Sequence, residues 1–407
     1  MAGSSRSKNR FERHPGRYIT LLLIVAFVML LGVTEAFLRV TQDLHEAQPG
    51  LGALGPPRHV DLREWQPNLK FRSAPPDVRR ANPGGPVHDV YALDTDAEGF
   101  IEPSRVHAKP DLTIAFLGGS TTECMYVTAE ARFPYLVGRI LEQRLGLKVN
   151  SLNGGRSGNN VMHDNVILTA KVLPLHADYV VLMSNINDTG VLLGYGSYWN
   201  ASSDFAIVRR DKTGVERGFQ LLRDALIPAT YRAYRLARMR LARAAPAAPP
   251  PAKAVEPEAA AEHATWDRLG VQFKSAVRQF STTAAAWDAK PVLMTEVLLP
   301  PGGWRRPEEA AGGDYLAEAK LGQHGLTSAT FDDLHGYFNG LIRLEAQQSN
   351  VALVDLAAAG PWTNEHVYDG LHFTDAGSRR VAGLVADALE PMIRADMSAG
   401  RIASPAK

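Results

Sequence analysis

The sequence predicts an α/β protein. The expected architecture is a three-layer, doubly wound sandwich on a five-stranded parallel sheet, preceded by one N-terminal transmembrane helix. Three observations carry this. Five short apolar runs rich in β-prone residues alternate with segments whose apolar residues recur at helical spacing. The runs are continuous rather than alternating, as in strands covered on both faces. Near the N-terminus, Tyr18 to Thr34 passes without a single charge.

The N-terminal element comes first. Residues 1–17 carry Arg6, Lys8, Arg10, Arg13 and Arg17 against one acid, Glu12. An uncharged run of this length is just enough to span a bilayer, and Glu35 and Arg39 close it. The basic flank should stay in the cytoplasm, which sends the rest of the chain across. The expected division is a basic tail (1–17), a signal-anchor helix (18–38), a Pro/Gly-rich spacer with a packed lead-in near Tyr91–Ile101 (39–110), an α/β domain (111–395) and a short tail (396–407). A cleaved signal peptide is the competing reading of the apolar run, with small residues Thr34 and Ala36 before a possible cut. Either way the domain faces the extracytoplasmic, periplasmic side.

The domain opens with Leu112–Leu117, a strand that stops at Gly118-Gly119-Ser120. Arg132–Leu145 follows as an amphipathic helix. Leu147–Leu152 is a second strand, ending in the glycine-rich turn Asn153–Asn160. Tyr179–Met183 is a third, ending in Ser184-Asn185-Ile186-Asn187-Asp188. Residues 190–265 read as an insertion, with arginines spread round a helix at Tyr231–Arg243 and an Ala/Pro-rich, disordered linker at 244–264. Trp266, Leu269, Phe273, Val277, Phe280, Ala284 and Trp287 stripe a core helix. Pro291–Leu299 is the fourth strand, with Trp304 in the loop beyond it. Phe331, Leu334, Phe338 and Leu341 stripe another helix, and Val351–Leu356 is the fifth strand. The loop Tyr368–Thr374 then leads into a last helix from about Asp375 to Ile393.

Totals exclude some function classes. A net charge of +1 over 407 residues gives no general attraction to nucleic acid. The single cysteine, Cys124, forbids an intrachain disulfide and reads as a buried structural thiol.

The polar loops gather at the carboxyl ends of the strands, where open α/β sheets bind ligands. Ser120 offers a hydroxyl nucleophile. His372 is the candidate general base, and Asp369, three residues earlier, can hold its imidazole in the required tautomer. A tetrahedral intermediate needs donors for its oxyanion. The backbone N–H groups of Ser120 and Gly158 and the side-chain amide of Asn187 are the candidates. None of this chemistry calls for a cofactor or a metal. His366, Asp369 and His372 have residue types that suit zinc, but no fourth ligand is evident. His163 reads as a capping or surface histidine, with substrate contact as the alternative. Arg156 reads either as an anion ligand or as a solvated arginine.

These residues resemble the SGNH hydrolases, also called GDSL esterases. The serine block is Gly118-Gly119-Ser120, and the glycine block is Asn153-x-Gly155-x-Ser157-Gly158. The third block ends in Asn187-Asp188, and the last is Asp369-Gly370-Leu371-His372. The resemblance covers about 112–393 apart from the insertion. It implies a flavodoxin-like fold and serine-dependent ester chemistry. Two positions depart from the family pattern: Gly119 stands where an acid is usual, and Asn185 where a glycine is usual. Both are expected to alter the pocket wall.

Three functions follow as expectations. The first is hydrolysis of acyl esters at the extracytoplasmic face of a membrane. The second is O-acyl transfer to or from an envelope polysaccharide by the same Ser-Asp-His set. The third is a non-catalytic tethered binding module. The expected partners are an acyl-ester substrate, with envelope polysaccharide or lipid as its source, and the membrane through the N-terminal helix; nucleic acid is not one.

Overall fold

The computed structural model describes residues 15–45, 58–75, 88–200, 205–210, 259–299 and 328–402. The expected arginine-bearing helix at Tyr231–Arg243, the loop holding Trp304 and most of the 190–265 insertion lie outside the described residues.

The chain divides into two units, residues 1–59 with 208–246, and 60–207 with 247–407. The first contains helix α1 (Pro15–His45). Its stretch Gly16–Phe37 is long and apolar enough to cross a membrane, a length and position that suit an anchor or a signal sequence alike. Arg58–His59 also pair with Arg209–Arg210 in this unit.

The second unit holds the sheet. Before it comes an antiparallel hairpin, β1 (Lys70–Ser73) with β2 (Tyr91–Asp94). The central strands are β3 (Leu112–Gly118), β4 (Val149–Asn153), β5 (Tyr179–Met183), β6 (Lys290–Met294) and β7 (Ala352–Val354). They are all parallel, in the order β4-β3-β5-β6-β7. The chain moves outward from β3 to β4, then returns to β5 on the other side. That reversal makes the gap between the ends of β3 and β5 the topological switch point, where such sheets hold ligands.

Strand periodicity sorts the two faces. Ile114 and Phe116 point to a core shared with helices α2 (Phe133–Leu145) and α7 (Asp375–Ser398). Ala115 and Leu117 point the other way, to α3 (Val161–Ile167), α4 (Ile186–Tyr195), α5 (Ala259–Ala286) and α6 (Ser328–Gln348). Phe273 of α5 stacks on Phe338 of α6 with centroids 4.4 Å apart, as the two stripes required.

Five expectations need correction. Residues 60–75 are not a loose spacer, because Trp65 donates to Glu123 and β1 pairs with β2; the packed lead-in near Tyr91–Ile101 is present, with buried Arg132 donating to the carbonyls of Ala92 and Glu102. Residues 190–198 are core rather than insertion, since α4 runs to Tyr195 and buries Val191 and Leu192. The last residues of the Ala/Pro segment, 259–264, are helical, because the run AAAEHA beyond Pro257 consists largely of good helix formers. Residue 396 is not in a tail: α7 continues to Ser398 and buries Asp396 under Tyr179 and Lys290. Trp287 lies past the end of α5 and is exposed, so it is not part of the core stripe.

Candidate active site

The fourth strand also ends earlier than its apolar run suggested. The ladder's paired residues stop at Met294, Thr295 N–H still donates to the Val354 carbonyl at 3.2 Å, and Glu296–Leu299 leaves the sheet. This departure places Glu296 beneath the serine loop, where it accepts from the Thr121 hydroxyl at 2.6 Å and from the Ile186 amide at 2.7 Å. Glu296 is fully buried. It joins the ends of β3, β5 and β6 through one carboxylate.

Ser120 starts a single helical turn, Ser120–Glu123, directly after β3. Gly118 has φ of +153°, and a Cβ there would lie 2.2 Å from the Met183 carbonyl oxygen. No side chain fits, so the turn must follow a glycine. Cys124 closes the turn in the left-handed region, and burial pushes its thiol up to about 12. A thiol held protonated in this way is a packing group.

His372 meets Ser120 across 252 residues of chain, with Nε2 2.7 Å from Oγ. Its Nδ1 lies 2.8 and 2.9 Å from the two Asp369 carboxylate oxygens. The Asp369 carboxylate also accepts the His372 backbone N–H at 2.9 Å, so the loop itself sets the pair's geometry. The imidazole stacks on buried Tyr368. This is a hydroxyl, a base and an orienting acid in one hydrogen-bonded line. His366 instead bonds Thr363 and packs on Trp362.

The other expected donors meet the serine turn at Gly119 and through the glycine loop. The Asn187 amide donates to the Asn159 carbonyl at 2.8 Å. It also explains Gly119, because a Cβ there would lie 2.5 Å from Asn187 Nδ2. The departure from an acid at 119 therefore makes room for the amide beside the nucleophile. Gly158 has φ of +81° and sits in a loop fastened to the serine turn: Arg156 N–H donates to the Gly118 carbonyl at 3.0 Å, and Ser157 N–H to Glu123 at 3.1 Å. The second departure, Asn185, is buried rather than lining the pocket. It binds the His335 carbonyl and Asn339 of α6, and accepts from Thr189.

Sequence reasoning missed Glu123. Its carboxylate is fully buried, yet it receives the Trp65 indole N–H at 2.9 Å, the Ser157 hydroxyl and Arg156. The one signal was an acid within an otherwise uncharged turn. Arg156 stacks on Trp65 at 3.8 Å and pairs with Glu123, so it serves the scaffold instead of an anion. His163 is buried and completes a capping box with Asn160 at the start of α3.

A second acidic pair lies deeper. Asp188 accepts from Val161 N–H, Ser184 and Tyr198. Burial raises it to about 7, and it helps raise the neighbouring buried Asp164 well above the ordinary carboxylate range.

Sequence comparison decides the family. The model of the GDSL-like Lipase/Acylhydrolase family matches residues 116–380. The chain belongs to that family. It is accordingly an SGNH-type serine esterase or acyltransferase. Among solved structures, the lipase/acylhydrolase from Enterococcus faecalis is 16% identical and superposes with a TM-score of 0.39, covering 73% of this chain and 100% of that one. An acetylxylan esterase from Geobacillus stearothermophilus is 14% identical with a TM-score of 0.37, covering 68% and 94%. An alpha/beta hydrolase enzyme from the metagenome of Lake Arreo, Spain, is 14% identical with a TM-score of 0.38, covering 68% and 94%. Among curated protein sequences none matches.

Proposed function

We propose that this GDSL-family protein cleaves acyl esters through a Ser120 acyl-enzyme, on the extracytoplasmic side of a membrane to which α1 tethers it. The observation that carries the reading is the 2.7 Å approach of His372 Nε2 to Ser120 Oγ, with Asp369 behind it. Ser120 Oγ attacks the ester carbonyl carbon as His372 takes its proton. The carbonyl oxygen becomes an oxyanion, received by the Ser120 and Gly158 N–H groups and the Asn187 amide. Collapse breaks the bond to the alcohol oxygen, which leaves with the proton from His372. Water then attacks the acyl-enzyme by the same route and releases the acid.

The second reading is acyl transfer to or from an envelope polysaccharide by the same Ser120, Asp369 and His372. A cavity of about 550 Å³ near Glu296 has walls of both kinds, apolar at Val297, Leu299 and Trp362 and polar at Asp333 and Arg343. Product analysis with a polysaccharide present separates the two: acylated sugar supports transfer, and free acid alone supports hydrolysis.

The test of the chemistry is labelling by a fluorophosphonate probe in membrane fractions. Labelling and aryl-ester turnover that vanish in Ser120→Ala support the reading. Full turnover in that variant overturns it, and absence of labelling in the folded wild type favours the binding-module reading. Protease accessibility of the second unit in sealed membranes tests its side.

A further inference from the structure

The strap just before the hairpin, Arg63-Glu64-Trp65, lies outside the residues matched by the family model. Two of its three side chains, Arg63 and Trp65, nevertheless grip the site's scaffold. Trp65 donates to Glu123 in the serine turn at 2.9 Å. Glu64 pairs with Lys171. Arg63 Nη1 donates to the Asn159 side-chain oxygen at 3.2 Å, and Asn159 Nδ2 donates back to the Arg63 carbonyl at 3.1 Å.

Asn159 is fully buried, and its own carbonyl receives the Asn187 amide at 2.8 Å. The guanidinium of Arg63 also rests on Gly158: a Cβ at Gly158 would lie 2.6 Å from Nη2. Both outlying oxyanion donors are thus reached through this one side chain, one by contact and one through Asn159.

We infer that Arg63 is a positioning residue for the oxyanion side of the site. It fixes Asn159, and through Asn159 the Asn187 amide, while its guanidinium adds positive potential beside Gly158. This inference rests on the reading of Gly158 and Asn187 as oxyanion donors. Preorganised donors act because they need no reorganisation when charge develops. Loosening their support should therefore lower the rate of the chemical step and leave ground-state binding of a small neutral ester alone.

The test uses the full chain in detergent, with active sites counted by fluorophosphonate titration. Arg63→Ala should lower kcat per active site on a short aryl ester by about tenfold or more, with KM changed less than twofold. Arg63→Lys, which keeps the charge but not the fork, should fall between wild type and Arg63→Ala. Millimolar guanidinium should restore part of the Arg63→Ala rate and none of the Ser120→Ala rate. Glu64→Gln loosens the strap without touching Asn159 and should keep kcat. If Arg63→Ala fails to fold, Arg63→Gln and Arg63→Lys carry the same comparison. Wild-type kcat in the folded Arg63 variants, or an equal loss in Glu64→Gln, overturns the inference. Activity surviving Ser120→Ala would instead overturn the acyl-enzyme reading itself.

Discussion

The two sides of Ser120 are built differently. On one side, His372 and Asp369 come from a single loop, and the loop's own N–H groups orient the acid. On the other, Gly158 with Asn159, Asn187, Glu123 and Arg63 come from four separate stretches of chain and meet only through the fold. The base side is a local device that a short sequence can specify. The proposed oxyanion side is a tertiary assembly whose precision depends on buried polar groups bonding across long loops.

Substitutions sharpen this contrast, and the base side should give the largest effects. Ser120→Ala or His372→Ala should lower kcat by about 10⁴-fold or more, because members of such a unit fail together. Asp369→Asn should approach that loss by favouring the wrong tautomer. Aryl-ester kinetics check all three, and a loss of under tenfold would break the assignment. Asn187→Ala should lower kcat by about 10²–10³-fold with little change in KM. An unchanged kcat there would remove the oxyanion role from that amide.

Stability should respond on the oxyanion side. Glu123→Ala leaves the Trp65 indole, Ser157 and Arg156 without their shared acceptor. The expected loss is about 3 kcal/mol, read from the denaturant midpoint. A midpoint equal to wild type would show that the strap and the glycine loop hold without it.

The last expected effect is a pH slope. Asp188 is raised to about 7 in the folded protein, against about 4 for an unfolded aspartate. Between those values the folded state binds more protons than the unfolded state. Its contribution to stability is therefore full below pH 4, declines as pH rises through 7, and is level above. Asp188→Asn should flatten this part of the profile in chemical unfolding followed from pH 4.5 to 8. A slope of unchanged size would assign it to another group.

The same contrast governs what could be read in advance. Gly118-Gly119-Ser120 and Asp369-x-x-His372 were legible because glycine punctuation and i, i+3 spacing are local properties. The five strands were legible as apolar runs, although β6 proved shorter than its run. Arg63, Glu123, Asn159 and Glu296 carried no comparable mark. An arginine in a Pro/Gly-rich segment looks solvated until the chain brings it to a partner 96 residues away.

By itself, the sequence determined the alternation of strands and helices, the apolar N-terminal span and the candidate set Ser120, Asp369 and His372. These follow from periodicity and hydropathy, which act within a few residues. Only the tertiary structure decided that Glu296 leaves the sheet to underpin the serine turn. It alone decided that Gly119 yields its space to Asn187, and that a strap outside the family domain hydrogen-bonds Asn159 and Glu123. Those choices depend on which buried carboxylates, amides and guanidinium groups find partners in the core, and burial is a property of the whole fold.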